Sequence, residues 1–253
     1  MTRTPTEKDP QRSGPDLIDS SETLPNGILG LCLYCADHQV TPDQLKEVMV
    51  GLLPETTPVF RPCLKAAVSL GMLEEIDGVL KLAVPSDKAR PYLRSRVLET
   101  NDEFHEMAER FLEANPWEVQ EKNWDRIQKT GKYTHITNST QWGNFARWVR
   151  FLGLGVRRQG YLIPDPTQAV EDVLAGVRLN DQLIKGTVLM DLLCERLPFH
   201  VNDRRLPESL SLAIKALERQ GVIGLEKLSD AETFELSLPG APEYFSHLTL
   251  ERA

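Results

Sequence analysis

The sequence lacks the marks of most recognisable chemistries. Its 253 residues hold four cysteines without framework spacing, which excludes a disulfide-stapled module and predicts a reducing compartment. The longest apolar stretch, around residues 28–35, falls far short of the ~20 residues that cross a bilayer. Residues 1–23 have no apolar core of the kind a signal peptide needs, so the expected setting is cytoplasmic, without a membrane. There is no Gly-x-Ser-x-Gly elbow and no glycine-rich phosphate loop ending in Lys-Ser or Lys-Thr. The histidines, His38, His105, His135, His200 and His247, are scattered. The expectation is a protein that is not an enzyme, with no catalytic residue, cofactor or metal.

Three fragments approach a chemical signature. Cys32-Leu33-Tyr34-Cys35 with His38, and Cys63 as a fourth ligand, has metal-type residues, but no second CxxC or HxxxH completes a site. Small cysteines in the core of a first helix are the favoured reading. Gly153-Leu154-Gly155 follows a helix instead of a strand, the wrong context for a dinucleotide loop. His105 among Asp102, Glu103, Glu106 and Glu109 reads as a solvated acidic helix face.

What the chain does have is one motif three times: an amphipathic helix, a glycine, then two short apolar strands. The copies lie at residues 63–84, 145–164 and 210–238, with the glycines at Gly71, Gly153 and Gly221. A helix that stops at a glycine and turns into a hairpin is how the last helix and wing of a winged helix-turn-helix read. The glycines are unequally spaced, so related domains with inserts are expected and a solenoid is not. The predicted class is α+β, mostly α, with tandem winged helix-turn-helix units joined by a helical connector.

The expected boundaries are a disordered tail at 1–23, a winged-helix domain at 24–86, a helical connector at 87–139, a second winged-helix-like unit at 140–178 and a third at 179–253. In the first domain Asn26 is the expected cap of the first helix. Thr41-Pro42-Asp43-Gln44 starts the second helix as a capping box. Asp77-Gly78 and Gln159-Gly160 are hairpin turns. In the third unit Leu183, Ile184, Val188, Leu189, Leu192 and Leu193 suggest an apolar helix, residues 199–201 a short strand, and Ser229-Asp230 the final hairpin turn.

Charge then separates the copies. The net charge of −8 repels DNA overall, so only a local gathering of cations permits contact. Residues 126–160 contain Arg126, Lys129, Lys132, Arg147, Arg150, Arg157 and Arg158 and no Asp or Glu. Arg147, Arg150, Arg157, Arg158, Lys129 and Lys132 are the expected nucleic-acid-binding residues, and the four arginines are expected on one exposed surface. The bland alternative is a basic face docked on a protein partner or on this chain's own acidic helix, residues 99–113. The first hairpin is acidic (Glu74, Glu75, Asp77). The third copy carries Lys215 and Arg219, with Arg204 and Arg205 before it, and Glu226, Asp230 and Glu232 in its wing.

Leu24-Pro25-Asn26, Asn115-Pro116-Trp117, the Trp-x-x-x-Leu-Gly-Leu-Gly run at residues 148–155 and Pro164-Asp165-Pro166-Thr167 follow one another along the chain. In this order they resemble DpdG, a helper protein of bacterial systems that insert 7-deazapurine bases into DNA and restrict unmodified DNA. The resemblance covers most of residues 24–240. It implies a phage-defence setting and partner proteins of the same system, and it carries no catalytic residue onto any position. A competing resemblance is to the acidic winged-helix accessory subunits of SMC–kleisin complexes, which grip a partner chain without contacting DNA directly. Homodimerisation through one of the units stays open.

Overall fold

The computed structural model describes residue 15 and residues 17–52, 57–117, 124–176 and 183–250. The chain is α+β with helix predominating, and it divides into two compact units, Met1–Asp102 and Glu103–Ala253. The division falls inside the stretch read as a connector, and residues 103–253 cluster together. No helix among the described residues is long and apolar enough to cross a membrane.

The first unit contains α1 (Pro25–Asp37), α2 (Pro42–Leu52), α3 (Thr57–Ser69), the hairpin β1 (Leu73–Ile76) and β2 (Val79–Leu82), and α4 (Ala89–Thr100). Pro25 opens α1, and Leu24 is its cap in place of the expected Asn26. Proline's fixed φ suits the first helical position, where its missing N–H costs nothing. The capping box forms as expected: Gln44 Oε1 accepts from Thr41 N at 2.9 Å and Thr41 Oγ1 from Gln44 N at 3.3 Å. Val40 bridges to Leu80, giving β2 a second neighbour besides β1. Ile28, Leu31, Phe60, Leu70, Met72 and Leu80 fill the core. Most of the expected disordered tail, residues 1–14 and 16, lies outside the described residues. Its end does not behave as a tail: Leu17 and Ile18 are buried, and Asn101 Nδ2 donates to Pro15 O at 3.0 Å. These two apolar side chains give the segment something to bury.

The second unit begins with α5 (Asp102–Glu113), α6 (Trp124–Lys129), α7 (Ser139–Phe151) and the hairpin β3 (Gly155–Arg158) and β4 (Tyr161–Pro164). Asn138 caps α7, its side chain accepting from Gln141 N. Phe104 and Phe111 from α5 meet Phe145 and Trp148 from α7 with ring centroids 5.6–6.5 Å apart, and Trp142 joins Trp124 and Tyr133 beside them. Such offset and edge contacts add to area burial. Then follow α8 (Thr167–Ala175), β5 (Leu183–Lys185), α9 (Gly186–Arg196), β6 (Arg205–Leu206), α10 (Glu208–Arg219), β7 (Ile223–Glu226), β8 (Phe234–Leu236), β9 (Glu243–Phe245) and β10 (His247–Leu250).

The threefold motif survives in its helix ends. Gly71, Gly153 and Gly221 have φ of 66°, 73° and 68°. Each glycine N–H bonds three residues back (to Val68, Arg150 and Glu218 O), and the next residue's N–H bonds five back (Met72 to Ala67 O, Leu154 to Val149 O, Val222 to Leu217 O). That pair of bonds is the Schellman cap, which needs a left-handed residue. In the first two copies the likeness continues through two-residue turns with both residues at positive φ, Asp77-Gly78 and Gln159-Gly160.

The third copy departs from expectation. β7 does not pair with β8: it pairs with β10 in a sheet ordered β5-β10-β7, while β8 lies between β6 and β9. The seven residues between β7 and β8 contain no glycine to set a tight turn, and buried Leu248 of β10 fits opposite Leu225 and Ile184. Leu183 and Ile184, expected in a helix, form β5 because β10 offers an edge to them. Residues 199–201 are not a strand. The short strand comes later, at β6, after Asp203 and Arg204 turn the chain at positive φ.

Candidate nucleic-acid interface

α7 carries Arg147 and Arg150 three residues apart, so both project from one helix face. That face is the exposed one, because Phe145, Trp148 and Val149 take the opposite side into the aromatic core. Arg147 Nη1 lies 3.5 Å from Asn144 Oδ1. Arg157 and Arg158 close strand β3 next to the turn, and both are exposed. Arg157 Nε donates to Gly160 O at 3.3 Å, which orients the guanidinium at the hairpin tip. Lys129 ends α6 exposed. Lys132 is also exposed, and its carbonyl accepts from Arg110 Nη1 at 2.9 Å.

The expectation of a single surface is met only in part. Arg147 and Arg150 share a face, but neighbours on a strand point to opposite sides of the ribbon. Arg157 stands opposite Leu162 and Arg158 opposite Tyr161. Trp142 and Trp148, among these cations in sequence, are 8% and 1% exposed, so neither offers an open ring for a base.

The charges here differ in state from most of those in and around the third copy. Among the described residues, Lys129, Arg147, Arg150, Arg157 and Arg158 have no carboxylate partner within ion-pair distance. The acidic helix does not neutralise them: on α5, Glu106 binds Arg110 and His135, while Glu109 and Glu113 face His200. In the third copy the cations are largely spent. Arg204 pairs with Glu232, Arg205 with Glu235 at 3.2 Å, and Lys215 with both Glu218 and Glu243. For Lys215, burial lowers the pKa, but the hydrogen bonds it donates to Glu218 and Glu243 and its attraction to their charges outweigh that and raise the value.

The fragments with metal-type residues have other occupations. Cys32, Cys35 and Cys63 are buried, and burial pushes all three thiols up, Cys32 to about 12 with the help of neighbouring Cys35. Cys63 Sγ accepts from Leu24 N at 3.3 Å, fastening the start of α1 to α3. His38 stacks on Tyr34. Gly153 serves the Schellman cap, and Gly155 gives space: a Cβ there would lie 2.8 Å from both Ile163 O and the Phe111 ring.

Sequence reasoning did not foresee the meeting of Glu109, Glu113 and His200, whose ligand atoms lie within 4.8 Å of one another. His200 Nδ1 is 2.5 Å from Glu109 and 3.3 Å from Glu113. The i, i+4 glutamates were a visible signal; the histidine, 87 residues away, was not.

Neither the curated proteins nor the solved structures gave a match. A family model, that of the DpdG-like proteins, does match, from residue 17 to residue 231. The match starts where the first buried side chains, Leu17 and Ile18, enter the first unit. It runs through all three helix–glycine caps and the cationic hairpin, so this chain belongs to the DpdG-like family.

Proposed function

We propose that the protein is a non-enzymatic adaptor of tandem winged-helix units that contacts nucleic acid through α7 and the β3–β4 hairpin. Its setting is the cytoplasm, within a bacterial DNA-modification or phage-defence system, alongside other proteins of that system. One observation carries the nucleic-acid reading. In a chain of net charge −8, Arg147, Arg150, Arg157 and Arg158 of the second copy, and Lys129 before it, are exposed and free of carboxylates among the described residues, while Lys215 of the third copy and Arg204 and Arg205 before it are paired. Arginines without a carboxylate partner keep most of their N–H donors for phosphate oxygens, and phosphate contacts supply most of the affinity in such complexes. The winged-helix reading is supported by the order of three helices and a hairpin in the first unit, with Val40 bridged to β2. Membership in the DpdG-like family supports the setting.

The test is fluorescence anisotropy of the full chain with labelled duplex DNA at about 50 mM salt. Reversal of Arg157 and Arg158 to glutamate should weaken binding at least about 10-fold, and reversal of Arg147 and Arg150 should do likewise. All four are exposed, so unfolding temperature should not move. A second reading, a scaffold without direct DNA contact, is favoured by the exposed acidic tip of the first hairpin, Glu74, Glu75 and Asp77. Absence of wild-type binding at low salt to duplex and single strand alike would decide for it.

A further inference from the structure

We infer that the ligand of the cationic hairpin is a duplex, and that the hairpin enters one of its grooves with Arg157 and Arg158 reaching phosphates on opposite walls. This rests on the nucleic-acid reading above and adds the form of the nucleic acid to it.

The argument is the arrangement of charge on a two-stranded ribbon. Arg157 and Arg158 are consecutive, so they leave the ribbon on its two faces, Arg157 with Leu162 and Arg158 with Tyr161. The turn beyond them has two residues, Gln159 (φ 51°) and Gly160 (φ 88°), and adds no acid to the tip. A ribbon laid flat on one strand would use the cation of one face and leave the other in solvent. A groove presents phosphates on both sides, and the major groove, about 12 Å wide, admits a two-stranded ribbon.

The surroundings argue against a single strand. Proteins that hold unpaired strands stack bases on exposed rings. On α6, α7, the loop between them and the hairpin, Trp124, Tyr133, Trp142, Phe145 and Trp148 are buried and Tyr161 is half-buried, while the exposed Trp117 and Tyr244 lie elsewhere in the chain.

The chain also contains its own control. β1–β2 has the same four-residue strands and two-residue turn, with Glu75 opposite Leu80 and Ile76 opposite Val79, where β3–β4 has Arg157 opposite Leu162 and Arg158 opposite Tyr161. The shared geometry is that of the hairpin; what differs is charge on both faces of the tip. The first hairpin is therefore excluded from a phosphate-lined groove.

The experiment compares a 20-base-pair duplex with one of its strands alone, using the full chain, Arg157→Gln and Arg158→Gln over a salt series. The duplex should bind at least 10-fold tighter than the strand. Each single substitution should lower the slope of log affinity against log salt by about one. Equal binding of single strand and duplex, or an unchanged slope for either substitution, overturns the groove inference and leaves nucleic-acid contact standing. Absence of binding to both forms overturns the underlying reading as well.

Discussion

Gly155 has no room for a methyl group, because its backbone approaches Ile163 O and the Phe111 ring so closely that a Cβ would sit 2.8 Å from each. The carbonyl belongs to the paired strand and the ring to a packed aromatic cluster, so neither yields without disturbing several neighbours. Gly155→Ala should therefore destabilise the second unit by roughly 1–3 kcal/mol, the usual cost of overpacking. Urea unfolding followed by tryptophan fluorescence would read the change, since Trp148 and Trp142 lie in that core. The two glycines of Leu-Gly-Leu-Gly differ in how legible they are. Gly153 announces itself, because a helix ending at glycine is a local event governed by φ. Gly155 does not: the ring that excludes a side chain lies on α5, forty-four residues earlier, and no local pattern encodes the approach.

At the scale of elements the same division holds. Thr41-Pro42-Asp43-Gln44, Asp77-Gly78 and Gln159-Gly160 were legible because caps and two-residue turns depend on the residues that form them. The partners of β7 and the strand character of Leu183 and Ile184 were not, because both depend on β10, far along the chain. The cations of the candidate site were legible as residues, but their freedom from carboxylates was not. That required seeing Glu106 engaged with Arg110 and His135, two partners of which one comes from the loop before α7. The hydrogen bond to His135, aided by the charges of His135 and Arg110, holds the Glu106 carboxyl below its ordinary value despite the opposing effect of burial. A depressed carboxylate stabilises the fold at pH above its unfolded value, near 4.3, and that contribution is lost as pH falls through the folded value. Glu106→Gln should therefore be less stable than wild type at pH 7 by up to about 1 kcal/mol, the range of a solvent-screened pair. The difference should close on acidification below about pH 4. Urea midpoints at pH 7 and pH 3 measure it; an equal gap at both would show that the ion pair contributes nothing.

Across the whole molecule, charge and its pairing act on different ranges. The net charge of −8 sets a general repulsion from any polyanion, felt over about a Debye length, about 10 Å at 0.1 M salt. Contact can then form only where unpaired cations outweigh it locally, and it should be weak and salt-sensitive. About four phosphate contacts imply a loss of affinity of roughly 100-fold between 50 and 200 mM salt. Pairing makes a sharper demand. Arg204 and Arg205 have the same charge as Arg157 and Arg158, and Arg205 is likewise exposed, yet both are bound to carboxylates, Glu232 and Glu235. If binding followed total charge, reversing either arginine pair to glutamate would cost the same, because each changes the net charge by the same amount. If it follows local unpaired charge, Arg204→Glu with Arg205→Glu should leave duplex affinity within about 2-fold of wild type, while the reversal at Arg157 and Arg158 removes at least 10-fold. Anisotropy titrations of the two double variants at one salt concentration separate these outcomes, and equal losses would show that the hairpin has no special place in binding.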